Sequence, residues 1–247
     1  MGLGEKAEQI DGLSLYTFFP DHPGGDILAL ILDRPAFNPA GLENWFSPRE
    51  MAEGRGKTAP AAHRAWLLGR LAAKAAASAR WGRSPSAAEI SSAADGRPLL
   101  TLTDGPEGAT QVSISHTGGA AAALAGAGPV GVDLELASRP MTERMRNWAF
   151  TPAERRLAAE AAESGWPGPL ALWCAREAAA KSWGRALLNH LEEVRVAEAD
   201  WTEGRLAVDW LGPGARRGEI RLKMFNGFLL ALTGDSPLTL KTTKVEI

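Results

Sequence analysis

Two helical segments, each followed by short apolar strands, constrain the fold of this 247-residue chain more than any other feature. Residues 61–81 and 170–183 carry apolar side chains at helical spacing among strong helix formers. Short apolar runs bounded by Gly, Asn and Pro follow each segment and are typical of strands. The sequence therefore predicts an α+β fold in which each long helix covers a small sheet.

The two halves of the chain end alike, which indicates an internal duplication. AAAALAG closes the first half near residue 126, and FLLALTG closes the second half near residue 234. We therefore expect two similar α/β subdomains, one over residues 1–126 and one over residues 127–247. Clefts between subdomains often bind ligands, so an active site is expected in the cleft between these two.

Composition excludes several classes of protein. The chain has no apolar run near 18 residues and no signal-peptide pattern at its start, so neither membrane insertion nor secretion is expected. The single cysteine, Cys174, excludes a disulfide framework and points to a reducing, cytoplasmic setting. A net charge of −2 argues against a nucleic-acid binder that works through its overall charge.

The neutral total conceals a basic stretch between residues 54 and 88. This stretch contains no acidic residue, and its basic residues are Arg55, Lys57, Arg64, Arg70, Lys74, Arg80 and Arg83. Such a local excess of positive charge predicts a site for an anion.

Two acidic residues stand in an otherwise apolar strand, Gly131-Val-Asp-Leu-Glu135. Side chains alternate along a strand, so Asp133 and Glu135 share one face. Two carboxylates on one face suit a hard cation such as Mg²⁺, which prefers oxygen ligands. The alternative is a strand edge whose carboxylates are solvated.

The second long helix carries Trp173, Glu177 and Lys181 on one stripe, at positions i, i+4 and i+8. Glu177 is a candidate third metal ligand or base, and Lys181 is a candidate clamp for an anion. The alternative is an ion pair between the two on the helix surface.

Ser115 and His116 end a strand just before a Gly118-Gly119 turn. A histidine beside a glycine-rich turn can meet a phosphate through its ring N–H and the backbone amides. A purely structural turn is the alternative.

Glu154 has two interpretations of its own. It could act as a base, but Thr151-Pro-Ala-Glu154 is also the pattern of a helix capping box. Cys174 is interpreted as a small core residue.

Taken together, VSISHT, GVDLE, FTPAE and LWCAREAAAKSWG, with HRAWLLGR and DGRP upstream, resemble the Sfp-type 4′-phosphopantetheinyl transferases. The resemblance covers most of the chain. It implies the two-lobed, pseudo-dimeric form of that family, with its subdomains related by a pseudo-twofold axis, and therefore a monomer. Arg176 stands where that family more often has lysine.

The resemblance implies an activity and its partners. Such enzymes move 4′-phosphopantetheine from coenzyme A (CoA) to a serine of an apo acyl or peptidyl carrier protein and release 3′,5′-ADP. Fatty-acid, polyketide and nonribosomal-peptide carriers all fit. The carrier is expected to dock on the region from Pro140 to Trp148.

The resemblance also implies residue roles. Mg²⁺ is assigned to Asp133, Glu135 and Glu177, and CoA to Arg64, Arg97, Ser115, His116, Asp133, Glu177 and Lys181. The expected catalytic residues are Glu177, Lys181 and His116. The serine proton is assigned to Glu177 or to a metal-bound water, and Glu154 matches a glutamate near the site. Two other functions stay open: a non-catalytic binder of CoA or carrier, and a metal-dependent phosphohydrolase.

Overall fold

The computed structural model describes residues 8–10, 13–20, 25–33, 43–103, 111–234 and 238–240. The chain divides into two compact units. The first comprises residues 1–129 and 236–247, and the second comprises residues 130–235.

The first unit is built on one antiparallel sheet. Its strands are β1 (Glu8–Ile10), β2 (Leu13–Pro20), β3 (Ile27–Asp33), β6 (Gln111–Thr117), β7 (Ala120–Gly126) and β13 (Leu238–Leu240). Their order in the sheet is β1–β2–β3–β7–β6, and β13 also pairs with β2. The helices are α1 (Pro48–Arg55) and α2 (Pro60–Trp81), and a separate hairpin joins β4 (Ala88–Ser92) to β5 (Pro98–Leu102).

Helix α2 packs closely on this sheet because small side chains line the contact. Strand β7 is almost entirely alanine and is buried along its whole length. A Cβ added at Gly69 of α2 would lie 3.0 Å from the Ile114 side chain, so the helix nearly touches β6 there. Leu68, Leu71 and Ala72 fill the remaining space in the core.

The second unit repeats this plan with one long helix against one antiparallel sheet. The strands are β8 (Val132–Leu136), β9 (Val194–Asp200), β10 (Arg205–Trp210), β11 (Arg216–Phe225) and β12 (Phe228–Thr233). Their order in the sheet is β8–β12–β11–β10–β9. The helices are α3 (Glu143–Ala149), α4 (Pro152–Glu160) and α5 (Gly168–Ser182). Short 3₁₀ turns occupy Glu43–Trp45, Pro85–Ala87, Ala161–Ser164 and Leu187–Asn189.

The α+β fold class predicted from the sequence is confirmed, and both long helices begin and end within two residues of their predicted limits. One assignment differs. Leu238–Leu240 pairs with β2 and so lies in the first unit, although the sequence analysis placed it with residues 127–247. Local strand propensity does not reveal which sheet a strand joins. The pseudo-twofold relation and the shared cleft stay predictions.

None of the helices in the described ranges has both the length and the apolarity that a membrane span requires.

Each unit contains the same buried polar arrangement at the start of a short helix. In the first unit, Ser47 and Glu50 form a capping box for α1. The other carboxylate oxygen of Glu50 accepts the Ile90 N–H at 3.0 Å. Lys74 from α2 completes the arrangement with an ion pair of 2.9 Å to Glu50, and both side chains are buried.

The second unit has the corresponding set of contacts. Thr151 and Glu154 form the capping box of α4, and Glu154 accepts the Val196 N–H at 3.0 Å. Arg176 from α5 lies 3.6 Å from Glu154, again with both side chains buried. This shared arrangement of cap, strand amide and helix cation supports the internal duplication that the sequence indicates.

Candidate active site

The two acidic residues of β8 lie on the helix-facing side of the second sheet. Asp133 pairs with Ala231 and Glu135 with Leu229, and both partners belong to the core that α5 covers. Because cross-strand partners share a face, both carboxylates point to the α5 side. Asp133 is 6% exposed and Glu135 is 9% exposed. They are therefore buried, and the solvated strand edge is excluded.

Lys181, in the last turn of α5, holds the backbone and side chain of β8. Its Nζ donates to the Val132 carbonyl oxygen at 3.0 Å and to Asp133 Oδ1 at 2.7 Å. The sequence suggested an ion pair within the helix, between Glu177 and Lys181. The ion pair observed for Lys181 instead joins α5 to β8, across 48 residues of sequence.

Glu177 lies half-buried on α5, one turn before Lys181. Burial raises the pKa of Glu177, and the negative charges of Asp133 and Glu135 raise it further. The positive charges of Lys181 and Arg176 act in the opposite direction. The three carboxylates thus interact electrostatically, and a cation placed among them would relieve their mutual repulsion.

The carboxylates match the ligand type that Mg²⁺ prefers, but protein cations hold two of them. Lys181 binds Asp133, and Arg139 forms an ion pair with Glu135. Within the described residues, no three Asp, Glu, His or Cys side chains are gathered closely enough to hold a metal ion. An all-carboxylate donor set suits Mg²⁺, and binding would require these side chains to turn away from Lys181 and Arg139.

Cys174 is a core residue, as the sequence predicts, and it also interacts with Asp133, Glu135 and Lys181, which the sequence does not indicate. Its side chain is completely buried. Burial raises the pKa of the thiol well above its ordinary value, as do the neighbouring charge of Asp133 and a hydrogen bond to the Asp133 side chain. Cys174, Glu177 and Lys181 follow an i, i+3, i+7 spacing, and this stripe marks the side of α5 that faces β8.

Glu154 is committed to its helix cap and is not placed to act as a base. It is 1% exposed, and its carboxylate oxygens accept hydrogen bonds from the N–H groups of Thr151 and Val196. The carboxylate also forms the ion pair with Arg176. Arg176 donates in addition to the carbonyl oxygens of Ala149 and Leu191. The capping interpretation is confirmed. The guanidinium of Arg176 is bonded to groups inside the fold.

In the first unit, Ser115 and His116 stand at the end of β6, beside a two-residue turn. Gly118 and Gly119 form this turn with φ values of 49° and 82°, a conformation that glycine adopts without a steric penalty. Ser115 is buried and His116 is exposed.

Arg64 reaches the same end of the sheet through Asp33. The Arg64 Nη2 donates to Asp33 Oδ1 at 2.6 Å, and Nε donates to Oδ2. Asp33 in turn donates its backbone N–H to the Gly119 carbonyl oxygen at 2.8 Å. Asp33 thus links Arg64 to the turn that follows His116.

Arg97 lies in the turn of the β4–β5 hairpin. Its Nε donates to Asp95 Oδ2 at 2.6 Å, and about half of each side chain is exposed. The structure therefore gathers Arg64, Ser115 and His116 at one end of the first sheet, and Arg97 pairs with Asp95 in the hairpin turn.

The basic stretch from residue 54 to 88 does not form a single surface patch. Lys74 is fully buried against Glu50. Arg70 is 6% exposed and binds Glu53 and Ser92. Arg80 donates to the carbonyl oxygen of Gly25. Several of the basic side chains that the sequence assigned to an anion site are thus bonded to other groups of the protein.

A comparison with protein-family models adds independent information. The model described as the 4′-phosphopantetheinyl transferase superfamily matches residues 129–232, which are almost the whole second unit. A search of curated proteins finds no match.

Proposed function

Because residues 129–232 form a domain of the 4′-phosphopantetheinyl transferase superfamily, we propose that this protein transfers phosphopantetheine from CoA to a carrier protein. The acceptor is a serine hydroxyl, and the second product is 3′,5′-ADP. The observation that supports this most directly is the group formed by buried Asp133 and Glu135 with half-buried Glu177 and Lys181, in which Lys181 binds Asp133. Three acidic side chains beside one ammonium group suit a site for a metal and a phosphate.

In this proposal Asp133, Glu135 and Glu177 hold Mg²⁺, which when bound neutralises charge on the pyrophosphate oxygens of CoA. Metal binding would take Asp133 away from Lys181. The ammonium group of Lys181 would then be released toward the pyrophosphate, where it neutralises further negative charge. The present Lys181–Asp133 contact of 2.7 Å thus keeps the lysine next to the position where it is needed.

The transfer step is a substitution at the phosphorus that carries the pantetheine. The serine oxygen forms a bond to this phosphorus, and the bond from phosphorus to the bridging oxygen of the pyrophosphate breaks. The bridging oxygen leaves with 3′,5′-ADP. In this proposal Glu177 accepts the serine proton as general base.

Ser115, His116, Arg64 and Arg97 are proposed to bind the phosphates of CoA. Exposed His116 offers a ring N–H next to the backbone of a glycine turn. Arginine suits phosphate because its forked N–H groups match two phosphate oxygens.

Mass spectrometry of a carrier protein tests the proposed function. Purified protein, CoA, Mg²⁺ and an apo carrier should yield a carrier heavier by one phosphopantetheine group. A panel of fatty-acid, polyketide and nonribosomal-peptide carriers identifies the preferred class. If none of them gains mass, the proposed transfer is wrong.

Substitutions in the cluster locate the activity. Asp133→Asn and Glu177→Gln should each lower kcat by about 10² or more, which is the typical contribution of a positioned acid, base or charge. The matched control is Asp209→Asn in β10 of the same unit. This change removes the carboxylate that lies 3.7 Å from the Arg217 guanidinium. Equal rates in all three variants would exclude the assignment.

The same assay separates the two alternative functions. A non-catalytic relative would bind CoA without modifying any carrier. A phosphohydrolase would release free phosphopantetheine when no carrier is present.

We place the carrier on the surface formed by Pro140 to Trp148. Trp148 is 59% exposed and packs against the Trp173 ring at 6.3 Å. Arg144 and Arg146 are exposed on the same helix and would attract an acidic carrier. Reversing the charge of Arg144 should raise the KM for the carrier while the KM for CoA stays constant. We further propose a monomer that works in the cytoplasm.

A further inference from the structure

A turn directly after β8 brings an arginine back to the carboxylate of Glu135. The Ala137 N–H donates to the Gly227 carbonyl oxygen at 2.9 Å, which continues the pairing beyond the strand. The Arg139 N–H donates to the Leu136 carbonyl oxygen at 2.9 Å, and a bond between residues i and i+3 is that of a β-turn. The backbone therefore fixes the position of Arg139 relative to β8, and the guanidinium forms an ion pair with Glu135.

The two members of this ion pair differ in exposure. The Glu135 side chain is 12% exposed, whereas that of Arg139 is 46% exposed. A guanidinium at the surface thus lies next to a nearly buried carboxylate. Ion pairs at the surface contribute little stability, because water hydrates the charge that leaves. The contact therefore orients Glu135 and is weak enough for another cation to replace.

Lys181, the other cation near these carboxylates, is attached differently. Its Nζ donates to the Val132 carbonyl oxygen at 3.0 Å as well as to Asp133 at 2.7 Å. The bond to the carbonyl oxygen keeps the ammonium group beside β8 when Asp133 turns away. The Lys181 side chain is also less exposed than that of Arg139, at 28%. Of the two cations, Arg139 is thus the one that can withdraw into solvent.

The carboxylates beside Arg139 repel one another. Asp133 and Glu135 both act on Glu177 through their negative charges. Arg139 places one positive charge at Glu135 and offsets part of this repulsion. A divalent cation would place two positive charges there, and carboxylate oxygens are ligands that Mg²⁺ prefers. Exchange of the guanidinium for Mg²⁺ would therefore lower the repulsion further.

We propose that Arg139 is a displaceable counter-ion of Glu135, which Mg²⁺ must replace, so that competition between the two cations sets the Mg²⁺ affinity of the site. This inference rests on the proposed function and adds to it a residue that controls metal loading. Arg139 itself contacts neither the metal nor a substrate. It is a positioning residue that acts through Glu135.

Calorimetry with Mg²⁺ as the titrant, without CoA and with it, tests the competition in the absence of turnover. Arg139→Gln removes the competing charge, so the Kd for Mg²⁺ should fall about threefold, the scale of one exposed ion pair. Arg139→Lys keeps a cation and should change the Kd less. The matched control is Arg217→Gln, which removes an arginine that is 47% exposed and lies 2.7 Å from Glu198. This control should keep the Kd of the wild type.

NMR of the arginine side chains follows the displacement itself. The side-chain N–H signals of Arg139 are identified by their absence from the spectrum of Arg139→Lys. Their protons should exchange with water faster when Mg²⁺ is bound, because the ion pair then no longer holds the guanidinium. The exchange rate at Arg217 should not change. If Arg139 influenced the metal only through its charge, the Kd would depend on Arg139 but the exchange rate would not depend on Mg²⁺.

The outcomes separate this inference from the proposed function. An equal Kd in the wild type and folded Arg139→Gln, or an exchange rate at Arg139 that Mg²⁺ does not change, overturns the inference even if the carrier gains mass. If no carrier gains mass but Mg²⁺ still accelerates this exchange, the proposed function fails and the inference stands. A wild type that binds no Mg²⁺, alone or with CoA, overturns both the inference and the metal assignment.

Discussion

The fold disfavours the ionised form of one side chain, Glu177. It is half-buried, and Asp133 and Glu135 are its negatively charged neighbours. Both effects disfavour the ionised form, so the pKa of Glu177 is raised despite the nearby ammonium of Lys181. The ionised form of Glu177 therefore costs stability when no cation is bound nearby.

This gives a pH-dependent prediction for Glu177→Gln in the presence of EDTA. The native state holds the Glu177 proton more tightly than the unfolded chain does, because the folded pKa is the higher one. The free energy of unfolding that Glu177 contributes is therefore lost as pH rises through its folded pKa. Urea unfolding should show the glutamine variant to be more stable than wild type at pH 8. The gain should vanish near pH 4, and a gain that is equal at both values would contradict the prediction.

Glu154 is the opposite case, a buried carboxylate whose charge is fully compensated. Its partners are the cap of α4, the Val196 amide and Arg176. Glu154→Gln should lower the free energy of unfolding by about 3 kcal/mol, because it leaves Arg176 buried without its counter-charge. Chemical denaturation measures this loss, and kcat of the folded fraction should be unchanged.

Glu50→Gln is the matched variant in the first unit, since Glu50 holds the buried Lys74 in the same way. Glu50→Gln should lower the free energy of unfolding by a similar amount. A Glu154→Gln protein with wild-type stability and a kcat reduced a hundredfold would restore Glu154 as a candidate base.

At the scale of elements, the site depends on the distance between β8 and α5. Gly131 directly precedes β8, and a Cβ there would overlap the carbonyl oxygen of Ala178 in α5. Gly131 thus lets the backbones of β8 and α5 approach closely, and that approach brings Lys181 to Asp133. Gly168, where α5 begins, allows a similarly close approach of α5 to α4, because its Cβ would overlap the carbonyl oxygen of Ala158.

Gly131→Ala should therefore separate β8 from α5. The expected loss is about 3 kcal/mol, at the upper end of the cost of overpacking, because the clash is with backbone. Thermal unfolding measures it. The concentration of Mg²⁺ needed for half-maximal activity should also rise, since Asp133 and Glu177 lie on the two separated elements.

The control is Gly128→Ala, where a Cβ meets nothing within 4 Å. It should have the stability and the Mg²⁺ requirement of the wild type. If both alanine variants behave alike, the close contact of β8 with α5 does not determine the site.

At the scale of the whole molecule, the chain returns to its first unit after completing the second. Strand β13 pairs with the end of β2 from Leu238 to Leu240, while β1 pairs with the beginning of β2. The two short strands thus share one edge of β2. The first sheet therefore contains strands from both ends of the chain.

Removing residues 236–247 should weaken the first unit selectively. Hydrogen–deuterium exchange should increase along β2, which loses hydrogen bonds to β13, and stay the same within residues 130–234. Removing only residues 241–247 is the control. Faster exchange throughout residues 130–234 would show that the second unit depends on this strand.

Much of the fold could be predicted from the sequence because it depends on local patterns. Helical spacing gave α2 and α5, and the Thr151-Pro-Ala-Glu154 pattern gave the start of α4. Strand alternation put Asp133 and Glu135 on one face. Each of these features arises among residues close in sequence, where backbone geometry alone decides which side chains are neighbours.

The partners of the charged residues could not be predicted, because they come from distant segments. Lys181 binds Asp133 instead of Glu177, Lys74 is buried against Glu50, and Arg64 is held by Asp33. A count of charges along the sequence does not distinguish these cations. They differ in burial and in partner, because burying a charge is costly unless a counter-charge lies next to it.

The sequence by itself thus determined the elements of this protein, the faces of its site residues and the resemblance to phosphopantetheinyl transferases. The tertiary structure decided which cation pairs with which carboxylate: Lys181 with Asp133, Arg139 with Glu135 and Arg176 with Glu154. It also decided that Cys174 joins the cluster and that Leu238–Leu240 belongs to the first sheet. The physical reason is that periodicity is a property of neighbouring residues, whereas burial and pairing are properties of the packed chain.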